Sequence, residues 1–145
     1  MGFYSLSRSN TALPASTNDF ITVVGAAART FRLIESSIGG MGTASAANEL
    51  AIARSTNGTG SGGAVTSVPL QVNQVAAGFT NATSWTTQPT LGNVLLRLPV
   101  NANGGLYRWV RPPTVDYVFL TTDQCSCRPA TGTSTVSYHM TVEEY

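Results

Sequence analysis

Near its C-terminus the chain alternates strictly, with Val136, Tyr138, Met140 and Val142 on one side of an extended strand and Ser137, His139, Thr141 and Glu143 on the other. A period of two is what a strand with one buried and one wet face requires. No window of about a dozen residues keeps apolar positions at helical spacing, and Ala44 to Leu50 offers at most one short turn. The chain is therefore expected to be all-β. Runs rich in β-branched and aromatic residues, bounded by Gly, Pro, Asn and Ser, predict strands over Phe3 to Ser7, Phe20 to Val24, Thr30 to Ile38, Glu49 to Arg54, Asn93 to Val100, Leu106 to Val110, Tyr117 to Thr121 and Thr135 to Glu143. Val94, Leu96, Leu98 and Val100 repeat the alternation, while Leu95 and Arg97 face the other way, so this strand is expected to carry something on both faces. About eight short strands with long connections and no internal repeat predict an antiparallel two-sheet sandwich, jelly-roll-like ahead of immunoglobulin-like.

At 145 residues the chain has the size of one domain with its own core. The predicted division is an N-terminal arm or edge strand over 1–18, rich in Ser, Thr and Asn, followed by one sandwich domain over 19–145. Within that domain the segment 55–92 is too long for an ordinary connection. Trp85, Phe79 and Val68-Pro69-Leu70 imply that part of it packs down.

The run Arg54-Ser55-Thr56-Asn57-Gly58-Thr59-Gly60-Ser61-Gly62-Gly63 invites a phosphate-loop reading, which needs a lysine and a following helix. The chain has no lysine, and Ala64 to Pro69 is β-branched and closes on a proline. The run is read as a structural loop or one that touches a macromolecule. Eight arginines against seven acids leave a formal net charge of +1, too little to steer the protein to nucleic acid or an acidic membrane. With 42% hydrophobic residues the remaining surface is Ser, Thr, Asn, Gln and Gly, which tolerates close approach of copies. No stretch reaches the roughly 20 apolar residues of a membrane span, and no secretory signal opens the chain, so a soluble, unexported protein is expected.

Candidate chemistry is sparse. Cys125 and Cys127, the only cysteines, would sit about 7 Å apart on one strand face, which predicts two free thiols. His139 is the sole histidine and the only soft ligand besides the cysteines, too few for a zinc site, and with no nucleophile-elbow pattern in the chain no Ser-His-Asp triad is expected around it. Glu143 and Glu144 point to opposite faces and cannot serve one glycosidic bond. No catalytic residue, cofactor or metal is assigned. Asn57-Gly58-Thr59 and Asn81-Ala82-Thr83 match the glycosylation triplet without an export signal beside them. Tyr107 and Trp109 share a strand face, which is either core or an aromatic sugar platform. Arg108 and Arg111 flank them, and Arg with Trp is the composition of interface hot spots. Arg111-Pro112-Pro113 is expected at a rim against a neighbouring subunit.

Several pieces together resemble a family of small tailed-phage virion proteins. They are Arg54-Ser55 with Gly58, Gly60 and Gly62-Gly63, then Val68-Pro69-Leu70, Ala76-Ala77-Gly78-Phe79-Thr80, Tyr107-Arg108-Trp109 with Pro112-Pro113, and the ending Met140-Thr141-Val142-Glu143-Glu144. The resemblance runs from about Glu49 to the C-terminus. It implies a β-sandwich decoration or cement protein on the outside of an icosahedral head, non-enzymatic, a homotrimer, with the major capsid protein as partner and the capsid surface as location. Its candidate partner-binding residues are Arg54, Trp85, Arg108, Trp109 and Arg111. The alternative is a carbohydrate- or receptor-binding module of a phage fibre, with Trp85, Trp109 and Tyr107 lining a groove.

Overall fold

Thirteen strands carry the chain in the computed structural model, which describes residues 1–121 and 123–145. They are β1 (Gly2–Ala12), β2 (Ile21–Val24), β3 (Phe31–Met41), β4 (Ala47–Thr56), β5 (Thr59–Gly62), β6 (Val68–Pro69), β7 (Thr80–Ala82), β8 (Ser84–Thr87), β9 (Thr90–Asn101), β10 (Asn103–Val110), β11 (Val118–Phe119), β12 (Gln124–Thr131) and β13 (Thr135–Glu144). One antiparallel sheet runs β10-β3-β13-β1, with β6 added at the β1 edge; the other runs β2-β12-β4-β9, with β7 added at the β2 edge. Taking these eight framework strands in chain order, the first, eighth, third and sixth share one sheet and the second, seventh, fourth and fifth the other. That is the order of a jelly roll. The expected all-β sandwich is the fold observed.

The core lies between the two sheets. Leu6, Leu33, Ile38, Met140 and Val142 project from one side and Ile21, Val23, Leu50, Ile52, Leu98, Cys125 and Cys127 from the other, all buried. Phe31 stacks on Phe119 with ring centroids 4.8 Å apart, and Phe79 meets the edge-on ring of Tyr4 at 5.3 Å. The two cysteines are free thiols, as their spacing predicts. Hydrogen bonding to Cys127 and then burial push the Cys125 thiol far above its ordinary range. Ser36 Oγ donates to Tyr138 Oη at 2.8 Å, and Cys127 Sγ lies 3.2 Å from the same oxygen, so this buried phenol has partners on both sheets.

The structure departs from the sequence expectations at several points. The central strand of the second sheet, β12, lies outside the eight predicted strand ranges, whereas Tyr117 to Thr121 shrinks to the two-residue β11 beside β3. Ala47 to Leu50 opens β4 and makes no helical turn. Val94 does not share the face of Leu96 and Leu98: Ile52 pairs with Leu96 but Ala53 with Val94, so a bulge at Leu95 turns Val94 outward, where it is 42% exposed. The N-terminal stretch, open in the sequence between an arm and an edge strand over Phe3 to Ser7, is strand from Gly2 to Ala12, paired with β13 along its length except for an irregularity between Arg8 and Thr11.

A close approach fixes one glycine of the framework. A Cβ on Gly40 would lie 2.0 Å from the carbonyl oxygen of Asn101, at the corner where the chain crosses from β9 to β10 and changes sheet.

The segment 55–92 is ordered by a device of its own. Phe79 is its buried aromatic anchor, and three side-chain amides each pair two ways with backbone, imitating one rung of a strand ladder. Gln124 accepts from Gly58 N at 3.1 Å and donates to Gly58 O at 2.9 Å; Asn81 does the same to Val65 at 2.7 and 3.0 Å, and Gln74 to Phe3 at 3.2 and 3.0 Å. The glycine run becomes β5, which pairs with β8, and ends on Gly62 and Gly63 at φ 140° and 67°, where a side chain would be strained.

Candidate partner-binding surface

All seven acids lie within ion-pair distance of an arginine. The pairs are Asp19 with Arg128, Glu35 with Arg108, Glu49 with Arg97, Asp123 with Arg54, Glu143 with Arg32, Glu144 with Arg29, and Asp116 with both Arg32 and Arg111. Three of the five sequence-chosen residues are thereby committed within the chain. Arg54 reaches Asp123 at 2.8 Å and lies over the Phe119 ring at 5.0 Å. Arg108 grips Glu35 through Nε at 2.5 Å and Nη2 at 3.0 Å, and this bond, with the attraction behind it, holds the Glu35 carboxyl below the usual carboxylate range. Arg111 reaches Asp116 at 2.9 Å, next to the exposed turn of Pro112 and Pro113.

The aromatic candidates separate. Trp109 and Tyr107 are half-buried on the core side of β10, and Trp109 stacks on Tyr117 at 5.4 Å. Tyr117 in turn donates its hydroxyl to the Leu95 carbonyl at 3.0 Å, so this pair closes the sandwich between β9 and β10. Trp85 stands on β8 and lines a different cavity, to which β10 contributes nothing. A single groove of Trp85, Trp109 and Tyr107 is not formed. His139 sits half-buried on the outer face of its sheet, with Nδ1 3.0 Å from Ser7 Oγ and Nε2 3.2 Å from Thr141 Oγ1. Among the described residues, no group of three or more His, Cys, Asp or Glu side chains could hold a metal ion.

Two buried carboxylates organise the ends of the sandwich. Glu144 accepts from Gly78 N at 3.0 Å, Phe79 N at 2.8 Å and Arg29 Nη1 at 3.0 Å, tying the last strand to the long segment. Asp19 accepts from Thr22 Oγ1 at 2.6 Å, from Ser126 Oγ and from Arg128 Nε. Both are satisfied structural anions.

The surface that the sequence did not single out is the stretch from Val68 to Val75. Its polar groups turn inward: Leu70 N donates to Phe3 O at 2.9 Å, Gln74 clamps Phe3 from both sides, and Tyr4 Oη donates to Val75 O at 2.8 Å. Its apolar side chains turn outward, with Val68 50%, Leu70 54%, Val72 92% and Val75 75% exposed, close to Met1 at 87%. The reversal is enforced by those bonds. Val72 and Val75 border an open cavity of about 610 Å³ whose floor includes Arg29, Glu144 and Gln74. The only sequence signal was Val68-Pro69-Leu70, read there as a segment packing down.

No family model, no curated protein and no solved structure matches the chain.

Proposed function

We propose that this protein is a structural virion protein, a decoration or cement protein that binds the outside of an icosahedral phage head and reinforces contacts between coat subunits. The observation that carries the reading is the outward apolar stretch from Val68 to Val75, held by hydrogen bonds that leave Val68 and Leu70 half exposed and Val72 and Val75 largely uncovered. Apolar side chains gathered and rimmed by polar groups mark a contact surface. Support also comes from the charge pattern, because seven carboxylates already answered by arginines leave a neutral exterior that adheres by shape and apolar contact and not by a long-range field. Copies repeated over a lattice add avidity, so each contact can be modest, and a homotrimer presents the same patch three times to a threefold position on the major capsid protein.

The test is co-sedimentation with heads prepared without the protein, comparing the natural chain with Val72→Glu. The natural chain is expected to pellet with heads, and Val72→Glu, whose site is already 92% exposed and so costs the fold little, to lose at least about tenfold in affinity. Affinity for glycans with none for heads would overturn the reading.

A further inference from the structure

Beside Trp85 lies an open cavity of about 330 Å³, at the lower end of the roughly 300–1,000 Å³ that small-ligand sites occupy. One wall is the half-buried indole of Trp85; the others include Arg8, Asn18, Asp19, Ser84 and Gln88. A single aromatic plane among hydrogen-bonding side chains is the composition that suits a sugar, whose C–H face packs on a ring while its hydroxyls need polar partners.

Arg8 gives the site its charge preference. Among the described residues it is the one arginine with no carboxylate in ion-pair reach. Its Nη1 donates to the Phe20 carbonyl and its guanidinium carbon lies 4.2 Å from the Phe20 ring centre, which fixes the plane and leaves Nε and Nη2 without a chain partner. Burial pushes this guanidinium below its ordinary pKa, consistent with a charge short of compensation. Asp19 shares the wall, but its oxygens are taken by Thr22, Ser126 and Arg128, and Arg128 answers its charge. The amides add donors: Gln88 spends its oxygen on Asp19 N at 3.0 Å and Asn18 spends its own on Thr17 Oγ1 at 3.3 Å, so both NH₂ groups stay available. The cavity therefore offers donors and one fixed guanidinium fork.

We propose that this cavity binds an acidic saccharide, a pyranose ring bearing a carboxylate such as a uronic acid unit, with the ring on Trp85 and the carboxylate on Arg8. The site is distinct from the Val68 to Val75 stretch, so saccharide binding and head binding can fail separately.

The test follows the indole N–H signals of Trp85 and Trp109 by NMR while sodium D-glucuronate or D-glucose is titrated at constant ionic strength. Glucuronate is expected to shift the Trp85 signal to saturation at millimolar concentrations, leave Trp109 still, and bind about tenfold more tightly than glucose. Arg8→Gln is expected to reduce glucuronate to the glucose level, and Gln88→Leu to weaken both sugars with Arg8 intact, each in a protein whose spectrum stays dispersed. Gln88→Leu and the two-sugar comparison on the natural chain decide the matter if Arg8→Gln does not fold. An unmoved Trp85 signal, equal affinities for the two sugars, a preference that survives Arg8→Gln, or tighter binding of a glutamate-rich peptide than of glucuronate would each overturn the proposal.

Discussion

Leu33, Ile38, Leu50 and Ile52 have no accessible surface between the two sheets, whereas from Asn57 to Pro89 only Phe79, Ala82 and Pro89 are buried. The framework is held by apolar area, at about 25 cal/mol per Å² removed from water. The long segment is held by hydrogen bonds from Gln74, Asn81, Gln124 and Glu144, each aimed at backbone. A core of the first kind tolerates little change of volume; pins of the second kind fix a path while leaving side chains free to face outward. This division of labour lets a loop expose Val72 and Val75 without collapsing onto the sandwich.

The contrast can be broken or sharpened in order of effect. The largest expected effect is kinetic: Cys125 and Cys127, sealed in the framework with the Cys125 thiol pushed up, should react with a thiol reagent at no more than about a thousandth of the unfolded rate. Fast modification of the native protein would show that the core opens locally. Next, Phe31→Ala removes a stacked core ring and should cost about 4 kcal/mol in denaturant unfolding, reported equally by every probe. Glu144→Gln should cost about 2 kcal/mol by weakening charge-assisted bonds to Gly78 and Phe79, with hydrogen exchange rising first at those two amides. If β12 amides rise first instead, the carboxylate belongs to the framework. Gln74→Ala should cost about 1 kcal/mol and expose the 70–75 stretch to protease while Tyr4 and Leu6 stay protected.

The smallest effect concerns Glu35. Its folded carboxyl titrates lower than its unfolded one because Arg108 holds the ionised form, so its stabilisation is present above the unfolded value and is lost as pH falls through the folded one. Glu35→Gln should therefore lower stability slightly at neutral pH, where the ionised carboxylate is paired, leave it unchanged at acid pH where that contribution is already lost, and so flatten the limb between.

How much was legible follows the same division. The alternation of β13 and the apolar runs of β3 and β4 announced the sandwich, because burial between sheets writes a period of two into the sequence. Strand β12 escaped because Gln124-Cys125-Ser126-Cys127-Arg128-Pro129 reads as polar and broken, yet Cys125 and Cys127 face the core while Ser126 serves Asp19 on the other side. A strand covered on both faces, one of them by a polar network, loses the usual contrast. The burial of Glu143 and Glu144 was hidden for a related reason: their partners Arg32, Arg29, Gly78 and Phe79 lie 65 to 115 residues away. Arg54, Arg108 and Arg111 looked like interface residues because composition cannot show that each already has a carboxylate. The outward stretch from Val68 to Val75 depends on Gln74 and Tyr4 meeting partners 71 residues distant, which no local pattern encodes.

The most direct test of the cement reading images heads prepared without this protein before and after purified protein is added back, with its solution mass measured alongside. The account predicts a trimer in solution and regular threefold density on the outer surface of the head, saturating as protein is added. A monomer that leaves the heads bare at every concentration would contradict it.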